Sequence, residues 1–146
     1  YWSYLSEYTV PWVAAETDYG FELGLEWINS DIETVTSAGW GTLAYFAAVN
    51  EDGNLDIQTY INLLDTVQKN IHTAQNRVRY TMNGFVIAIG TYVEELTAKS
   101  KEVANEIGKI TVDVGGTVCK VPFAVDYINK AIDKGRIGKK RKTARC

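Results

Sequence analysis

Positive charge is missing from the first half of this chain. No lysine or arginine occurs in residues 1–68, although the 146-residue chain carries 15 of them against 18 aspartates and glutamates. Seven of the 15 lie in residues 134–146, a stretch that contains no acid. Such asymmetry is typical of a protein whose basic end meets a polyanion such as nucleic acid. A solvated tail that aids solubility gives the same pattern, so composition leaves both interpretations open.

Cysteine and histidine are scarce as well. The chain has two cysteines, Cys119 and Cys146, and one histidine, His72. Three such side chains make a poor zinc site, because structural zinc takes four ligands, and we expect no metal. Without a C-x-x-C pair, we expect both thiols to be free in a reducing cytoplasm, with Cys119 as a small buried side chain. We expect His72 at the surface near the end of a helix.

Several functional signals are absent. No apolar run approaches the roughly 18 residues of a membrane span, and the start of the chain, "YWSYLSEY", lacks the basic and apolar regions of a secretory signal. We expect no membrane association, and we expect a piece of a longer protein. No phosphate-binding loop, H-E-x-x-H motif or Ser-His-Asp series is found, which excludes the common enzyme classes.

Apolar residues recur at the helical period along most of the chain. The pattern predicts helices over residues 2–16, 20–29, 31–49, 57–72, 75–93, 98–107 and 122–133. Pro11 predicts a kink or break in the first of them. Residues 109–121 alternate and are rich in glycine, which predicts a short extended segment, either a hairpin or an irregular loop. We therefore predict an all-α fold, an α-α superhelix of helical hairpins over residues 1–134, followed by a basic tail, 135–146.

The third predicted helix has two local features. Ser30 and Glu33 form the S-x-x-E pattern of a capping box at its start. Gly39 and Gly41 lie inside it, where each costs about 1 kcal/mol relative to alanine. We therefore expect another helix or backbone to approach closely at these glycines.

Two constellations could carry function. Arg77 and Arg79 begin the long fifth helix, where free backbone N–H groups attract anions, so they could hold adjacent phosphates. Salt bridges to the acids of the first half are an equal alternative. Trp12 and Glu16 are four residues apart and share a helix face, which could hold a cationic or flat substrate. A buried tryptophan beside an exposed acid is the more frequent meaning of that spacing.

Long blocks of the chain resemble one known family. They are "SEYTVPWVAAE", "FELGLEWINSD", "NRVRYTMNGFVIAIGTYV", "VDVGGTVCKVP", "AVDYINKA" and "GRIGKKRKTARC", and they resemble the C-terminal portion of bacterial DNA alkylation repair proteins of the AlkD-like family. The resemblance implies a right-handed solenoid of HEAT-like helical pairs whose basic concave face binds double-stranded DNA. It also implies hydrolysis of the N-glycosidic bond of alkylated purines such as 3-methyladenine and 7-methylguanine, with no metal or cofactor. The protein would then be cytoplasmic, at the bacterial nucleoid.

The resemblance also implies roles for particular residues. A family tryptophan followed four residues later by an aspartate corresponds to Trp12 and Glu16, so Glu16 would be the catalytic carboxylate. A later family tryptophan corresponds to Phe85, which with Trp12 would form the aromatic walls. This chain departs from the family in having Glu for Asp, Phe for Trp, Ala88 for an arginine one turn later, and no basic residue in "TVTSAGW".

The tail takes its role from the same resemblance. We expect it to be a flexible arm on the DNA backbone, making sequence-independent, salt-sensitive contacts. The residues of this arm are Lys139, Lys140, Arg141, Lys142 and Arg145. Two other functions stay open, a non-catalytic DNA-binding HEAT-like module and a helical protein–protein scaffold whose acidic half binds a basic partner. We expect a monomer.

Overall fold

A computed structural model describes residues 2–117 and 120–145. A π-helical turn, Leu5–Thr9, precedes the first of seven α-helices. The helices are α1 (Val10–Ala15), α2 (Gly20–Trp27), α3 (Glu33–Val49), α4 (Ile57–Asn70), α5 (Asn76–Tyr92), α6 (Thr97–Ile107) and α7 (Ala124–Asp133). No strand is found in the described residues, and the predicted all-α class is confirmed. The predicted boundaries hold to within a few residues for most helices, and the first predicted helix divides near Pro11 into the π turn and α1.

The helices form two layers around one core. The contacts place α1, α3, α5 and α7 side by side in one layer and α2, α4 and α6 in the other. Between the layers the rings of Trp40, Tyr60 and Phe85 pack together, with the Phe85 centroid 5.1 Å from that of Trp40 and 6.0 Å from that of Tyr60. All three rings are buried, so they supply a large share of the apolar area that stabilises the fold.

Close approach at the α3 glycines is confirmed. A Cβ atom on Gly39 would lie 2.6 Å from the backbone nitrogen of Ile28, and one on Gly41 would lie 2.9 Å from Cγ of Pro11. The end of α2 and the start of α1 therefore pack directly on the α3 backbone. Alanine is the better helix former, but at these two positions it would force the helices apart.

The predicted capping box is wrong. Helix α3 begins at Glu33 with Ile32 as its N-cap, and Ser30 Oγ accepts a hydrogen bond from the Ile32 N–H instead. The Glu33 carboxylate turns to another helix and accepts from the backbone N–H of Arg77 in the first turn of α5, at 2.7 Å. The first N–H groups of any helix lack intrahelical partners and attract negative charge. Glu33 thus caps a helix far from it in sequence.

The segment predicted to be extended is an irregular loop where it is described. Residues 110–114, 117 and 120–121 have no regular structure, and a turn forms at Gly115 and Gly116, both with positive φ. The Asn76 side chain holds the loop, since it donates to the Asp113 carbonyl at 2.8 Å and accepts from the Asp113 N–H at 2.7 Å. The predictions for Cys119 and Cys146 lie outside the described residues.

The C-terminal residues 138–145 form what we call the strap, and the prediction of a flexible arm is wrong for them. Two backbone N–H groups of the strap donate hydrogen bonds to helix carbonyls. Gly138 donates to the Thr91 carbonyl and Arg141 donates to the Ala48 carbonyl, both at 2.8 Å. Its Ala144 is fully buried. Helix ends carry unsatisfied carbonyls and partial negative charge, which favour a basic segment. The tail is therefore held against the helical body.

Candidate nucleic-acid interface

The N-terminal ends of α1, α3 and α5 meet at a salt bridge. The π turn before α1 places the side chain of Glu7 inside the protein, where it is 2% exposed. Arg77 donates to it through two nitrogens, with Nε to Oε1 and Nη2 to Oε2 both at 2.6 Å. The hydrogen bonding of Arg77 to the Glu7 carboxylate raises the pKa of Arg77. Bidentate pairing of this kind is the strongest that arginine makes with a carboxylate.

This salt bridge decides between the two interpretations of the arginines in favour of intramolecular pairing for Arg77. Its guanidinium is matched by Glu7, and the helix N-terminus beside it is occupied by Glu33. Arg79 is separate, because residues two apart on a helix project in widely different directions. Its Nε is buried and has no hydrogen-bond partner among the described residues. The structure does not bring the two arginines together into one phosphate site.

Trp12 and Glu16 do lie together. They line a shallow cavity of about 430 Å³ with Tyr4 and Arg145. Glu16 Oε1 also accepts a 2.6 Å hydrogen bond from the Ala144 N–H, so this carboxylate fastens the end of the strap. Phe85 was predicted beside them but does not line this cavity. Its ring packs in the core against Trp40 and borders a different cavity, between α3 and α5.

A basic groove runs between α5, α7 and the strap. It has a volume of about 420 Å³. Its charged lining residues are Lys130, Lys134, Arg136, Lys139 and Arg141, and none of the described residues that line it is an acid. Tyr127 lies three residues before Lys130 and seven before Lys134, so the three share one face of α7. This spacing was visible in the sequence, but Lys130 and Lys134 were not predicted as DNA contacts.

Neighbouring residues of the strap face different surroundings. Lys139 and Arg141 line the basic groove. Lys140 turns away, and its Nζ lies 2.7 Å from Asp52 Oδ1 and 2.9 Å from the Ala47 carbonyl, with a side chain only 9% exposed. The predicted DNA contact by Lys140 is therefore corrected to a structural ion pair at the end of α3. Lys142 and Arg145 are exposed, and their contact with DNA stays a prediction.

A second cavity adjoins the basic groove, and we call it the tyrosine cavity. It lies between α3 and α5 beside the π turn, has a volume of about 240 Å³, and shares Ile87, Thr91 and Tyr92 with the groove. Its aromatic lining consists of Tyr8, Tyr45, Tyr80, Phe85 and Tyr92. None of the four tyrosines was predicted, because their spacing along the chain is irregular and only the fold brings them together.

The tyrosine cavity carries little net charge. The hydroxyls of Tyr8 and Tyr80 lie 3.1 Å apart and share a hydrogen bond. Burial is the main cause that raises the pKa of Tyr8 far above its usual value, so this hydroxyl stays neutral. Glu7 is the one acid in the lining, and Arg77 pairs with it. The cavity therefore suits a flat, neutral group better than an unpaired cation.

Residues 2–117 and 120–145 contain no group of three or more histidine, cysteine, aspartate or glutamate side chains that could hold a metal ion. Within the same residues, no helix combines the length and the apolar character that crossing a bilayer requires.

No family model matches the chain. Two uncharacterized Listeria proteins are similar over 130 residues, Lmo0209 of Listeria monocytogenes at 35% identity and Lin0241 of Listeria innocua at 33%. Each alignment covers 89% of this chain and 54% of the relative, so the chain spans about half the length of these curated relatives.

A solved structure matches the whole chain and 62% of its own length, with a TM-score of 0.91 and 29% identity. It is described as a new family of proteins related to the HEAT-like repeat DNA glycosylases with affinity for branched DNA structures. The similarity confirms the predicted HEAT-like helical fold for this chain.

Proposed function

We propose that this protein binds DNA through the basic groove and that branched DNA is its preferred form. One observation carries the proposal. Lys130, Lys134, Arg136 and Lys139 are exposed around a single groove, and none of them has an ion-pair partner among the described residues. The affinity of the solved relative for branched DNA supports the choice of ligand.

The charge distribution gives the groove a further role in orientation. The chain as a whole is acidic, with a formal charge of −3, so most of its surface repels a DNA backbone. A cationic groove on such a body attracts phosphates to one place and discourages binding elsewhere. Phosphate contacts of this kind position DNA without reading its sequence.

The test is a salt titration of DNA binding by the groove variant Lys130→Gln/Lys134→Gln. Each lost phosphate contact flattens the slope of log K against log salt by about 0.9, so we expect the slope to fall by about 2. Lys101→Gln/Lys109→Gln removes the same charge outside the groove and should leave the slope nearly unchanged. Equal slopes in the two variants would place the DNA elsewhere.

Hydrolysis of alkylated purines is the second candidate, supported by the relation of the solved neighbour to DNA glycosylases and by Trp12 lining one cavity with Glu16. Its test is release of 7-methylguanine from duplex DNA by the longest natural form of the protein, with Glu16→Gln beside it. Release by the parent and none by the variant would establish the enzyme and its carboxylate. If the protein bound DNA but released no 7-methylguanine, DNA binding would stand as its function without hydrolysis.

A DNA-binding protein of this kind would act in the bacterial cytoplasm, at the nucleoid, and as a monomer. Sedimentation with and without forked DNA tests the stoichiometry, and one protein per fork is the expected result. The scaffold alternative would gain if no DNA bound at low salt, because an electrostatic groove binds most strongly there.

A further inference from the structure

One glycine of α5 has no packing reason to be there. Six glycines lie in α-helices, and at five of them an added Cβ would come within 3.0 Å of a neighbouring atom. Those five are Gly20, Gly24, Gly39, Gly41 and Gly90. At Gly84 the Cβ would meet no described atom within 4 Å. Glycine inside a helix is less favourable than alanine, so Gly84 weakens α5 without relieving any clash in the described structure.

Gly84 faces the tyrosine cavity. It is exposed there and forms part of a floor of small residues on two adjacent helices. The floor consists of Gly41, Ala44, Ala48, Gly84 and Ala88. The missing side chain of Gly84 at an open cavity allows another molecule to approach the helix backbone closely. Four tyrosines line the cavity around this floor, and aromatic rings are surfaces on which bases stack.

We propose that the tyrosine cavity receives one unpaired base of a DNA strand whose phosphates lie in the basic groove. This proposal rests on the proposed DNA binding. It identifies an unpaired base as the feature of branched DNA that the protein recognises. The groove and the cavity share Ile87, Thr91 and Tyr92, so a strand in the groove passes the mouth of the cavity. Base stacking on aromatic rings beside a cationic groove is the general mode of single-strand binding.

The pairing of Glu7 with Arg77 indicates which bases the cavity accepts. Glu7 is the acid that lines it, and both of its oxygens accept hydrogen bonds from Arg77. A cationic base would find no unpaired carboxylate among the described lining residues. The cavity therefore takes an ordinary neutral base, and unpaired bases of this kind are exposed where strands branch. An intact duplex offers none.

The experiment fills the cavity without touching the groove. Gly84→Leu places a side chain in the open space, and Gly84→Ala is its matched control, since both remove glycine from α5 but only leucine fills much volume. Forked DNA is compared in two forms, one with normal bases and one with abasic residues at the unpaired positions next to the fork. A blunt duplex of the same sequence reports groove binding alone.

We expect the wild type and Gly84→Ala to bind the fork with bases about tenfold more tightly than the abasic fork. We expect Gly84→Leu to bind both forks equally and to bind the blunt duplex as the wild type does. Equal binding of the two forks by the wild type would overturn the cavity proposal and leave groove binding standing. A preference that survives in Gly84→Leu would also overturn it.

Failure of the proposed function has a different signature, which is no binding of any of the three DNAs at low salt. Thermal melting checks that each variant is folded. If Gly84→Leu does not fold, Ala88→Leu fills the same cavity from the next turn of α5 and is judged by the same comparison of forks.

Discussion

The helices α1, α3 and α5 carry partial charges at both ends, and the protein neutralises these charges differently at the two ends. At the N-terminal ends, Glu7, Glu33 and Arg77 satisfy one another inside the protein. At the C-terminal ends, the strap crosses the three helices in the order α5, α3, α1. It uses Lys140 for an internal ion pair and leaves Lys139 exposed.

The difference teaches where to look for a partner. Arginine beside a helix N-terminus predicts an anion site, but here the protein supplies the anion itself through Glu7 and Glu33. At the other end there are more cations than the helix termini need, and no acid lines the basic groove in the described part of the chain. Charge that the fold leaves unpaired is the charge available to an external ligand.

The largest expected effect comes from breaking the N-terminal end with Arg77→Met. Removing the cation leaves the buried carboxylate of Glu7 without its partner, and we expect a loss of about 3 kcal/mol in the free energy of unfolding at pH 7.

Urea unfolding at pH 7 measures this loss. The double variant Glu7→Gln/Arg77→Met is the control, because it removes the unpaired buried charge and should recover part of the stability. A single variant as stable as the wild type at pH 7 would mean that the salt bridge contributes nothing.

We expect an intermediate loss of stability when one of two adjacent strap lysines is replaced, and almost none when the other is. Lys140→Met should lower the free energy of unfolding by about 2 kcal/mol, because it removes the ion pair with Asp52 and the charged hydrogen bond to the Ala47 carbonyl. Lys139→Met should change it by less than about 0.5 kcal/mol, as exposed substitutions do.

For binding to forked DNA, the variant of Lys139 should have the larger effect and the variant of Lys140 the smaller one, the reverse of their effects on stability. Lys139→Met is expected to flatten the salt slope by about 0.9 and Lys140→Met to leave it unchanged. Urea unfolding and a salt titration on the same two proteins make the comparison. If both variants lost the same amount of DNA affinity, the division of the strap into anchoring and binding residues would be wrong.

The smallest expected effect concerns two carboxylates, one at each end of the helix layer, that each accept a hydrogen bond from a backbone N–H. Glu33 accepts from Arg77 at 2.7 Å and Glu16 accepts from Ala144 at 2.6 Å. Each change to alanine should cost about 1 kcal/mol in the free energy of unfolding. Glu33→Ala should cost about 0.5 kcal/mol more, since its carboxylate also faces the positive end of a helix.

The two variants should also differ in the tail. Glu16→Ala releases the end of the strap, and trypsin should then cleave there faster than in the wild type. Glu33→Ala should leave that cleavage rate unchanged. Faster cleavage in both variants would indicate general unfolding.

The interface was predicted less completely than the fold. The helices followed from apolar periodicity, which each segment carries by itself, and the close approach at Gly39 followed from a glycine inside a helix. The basic end was predicted to bind DNA, but the predicted contacts began at Lys139. Lys130, Lys134 and Arg136 were missed because only the packing of α7 beside the strap shows that they line the same groove. Phe85 was misplaced because an aromatic residue at helical spacing fits both a core and a site.

By itself, the sequence determined the all-α class, the positions of the helices, the composition of the core and the concentration of positive charge at one end. Those properties depend on neighbours within a few turns. Only the tertiary structure decided that Arg77 pairs with Glu7, 70 residues away, and that Glu16 holds Ala144, 128 residues away. It also decided that the tyrosines enclose a cavity beside the groove. Such contacts depend on the path of the whole chain, because side chains distant in sequence meet only after the helices have packed.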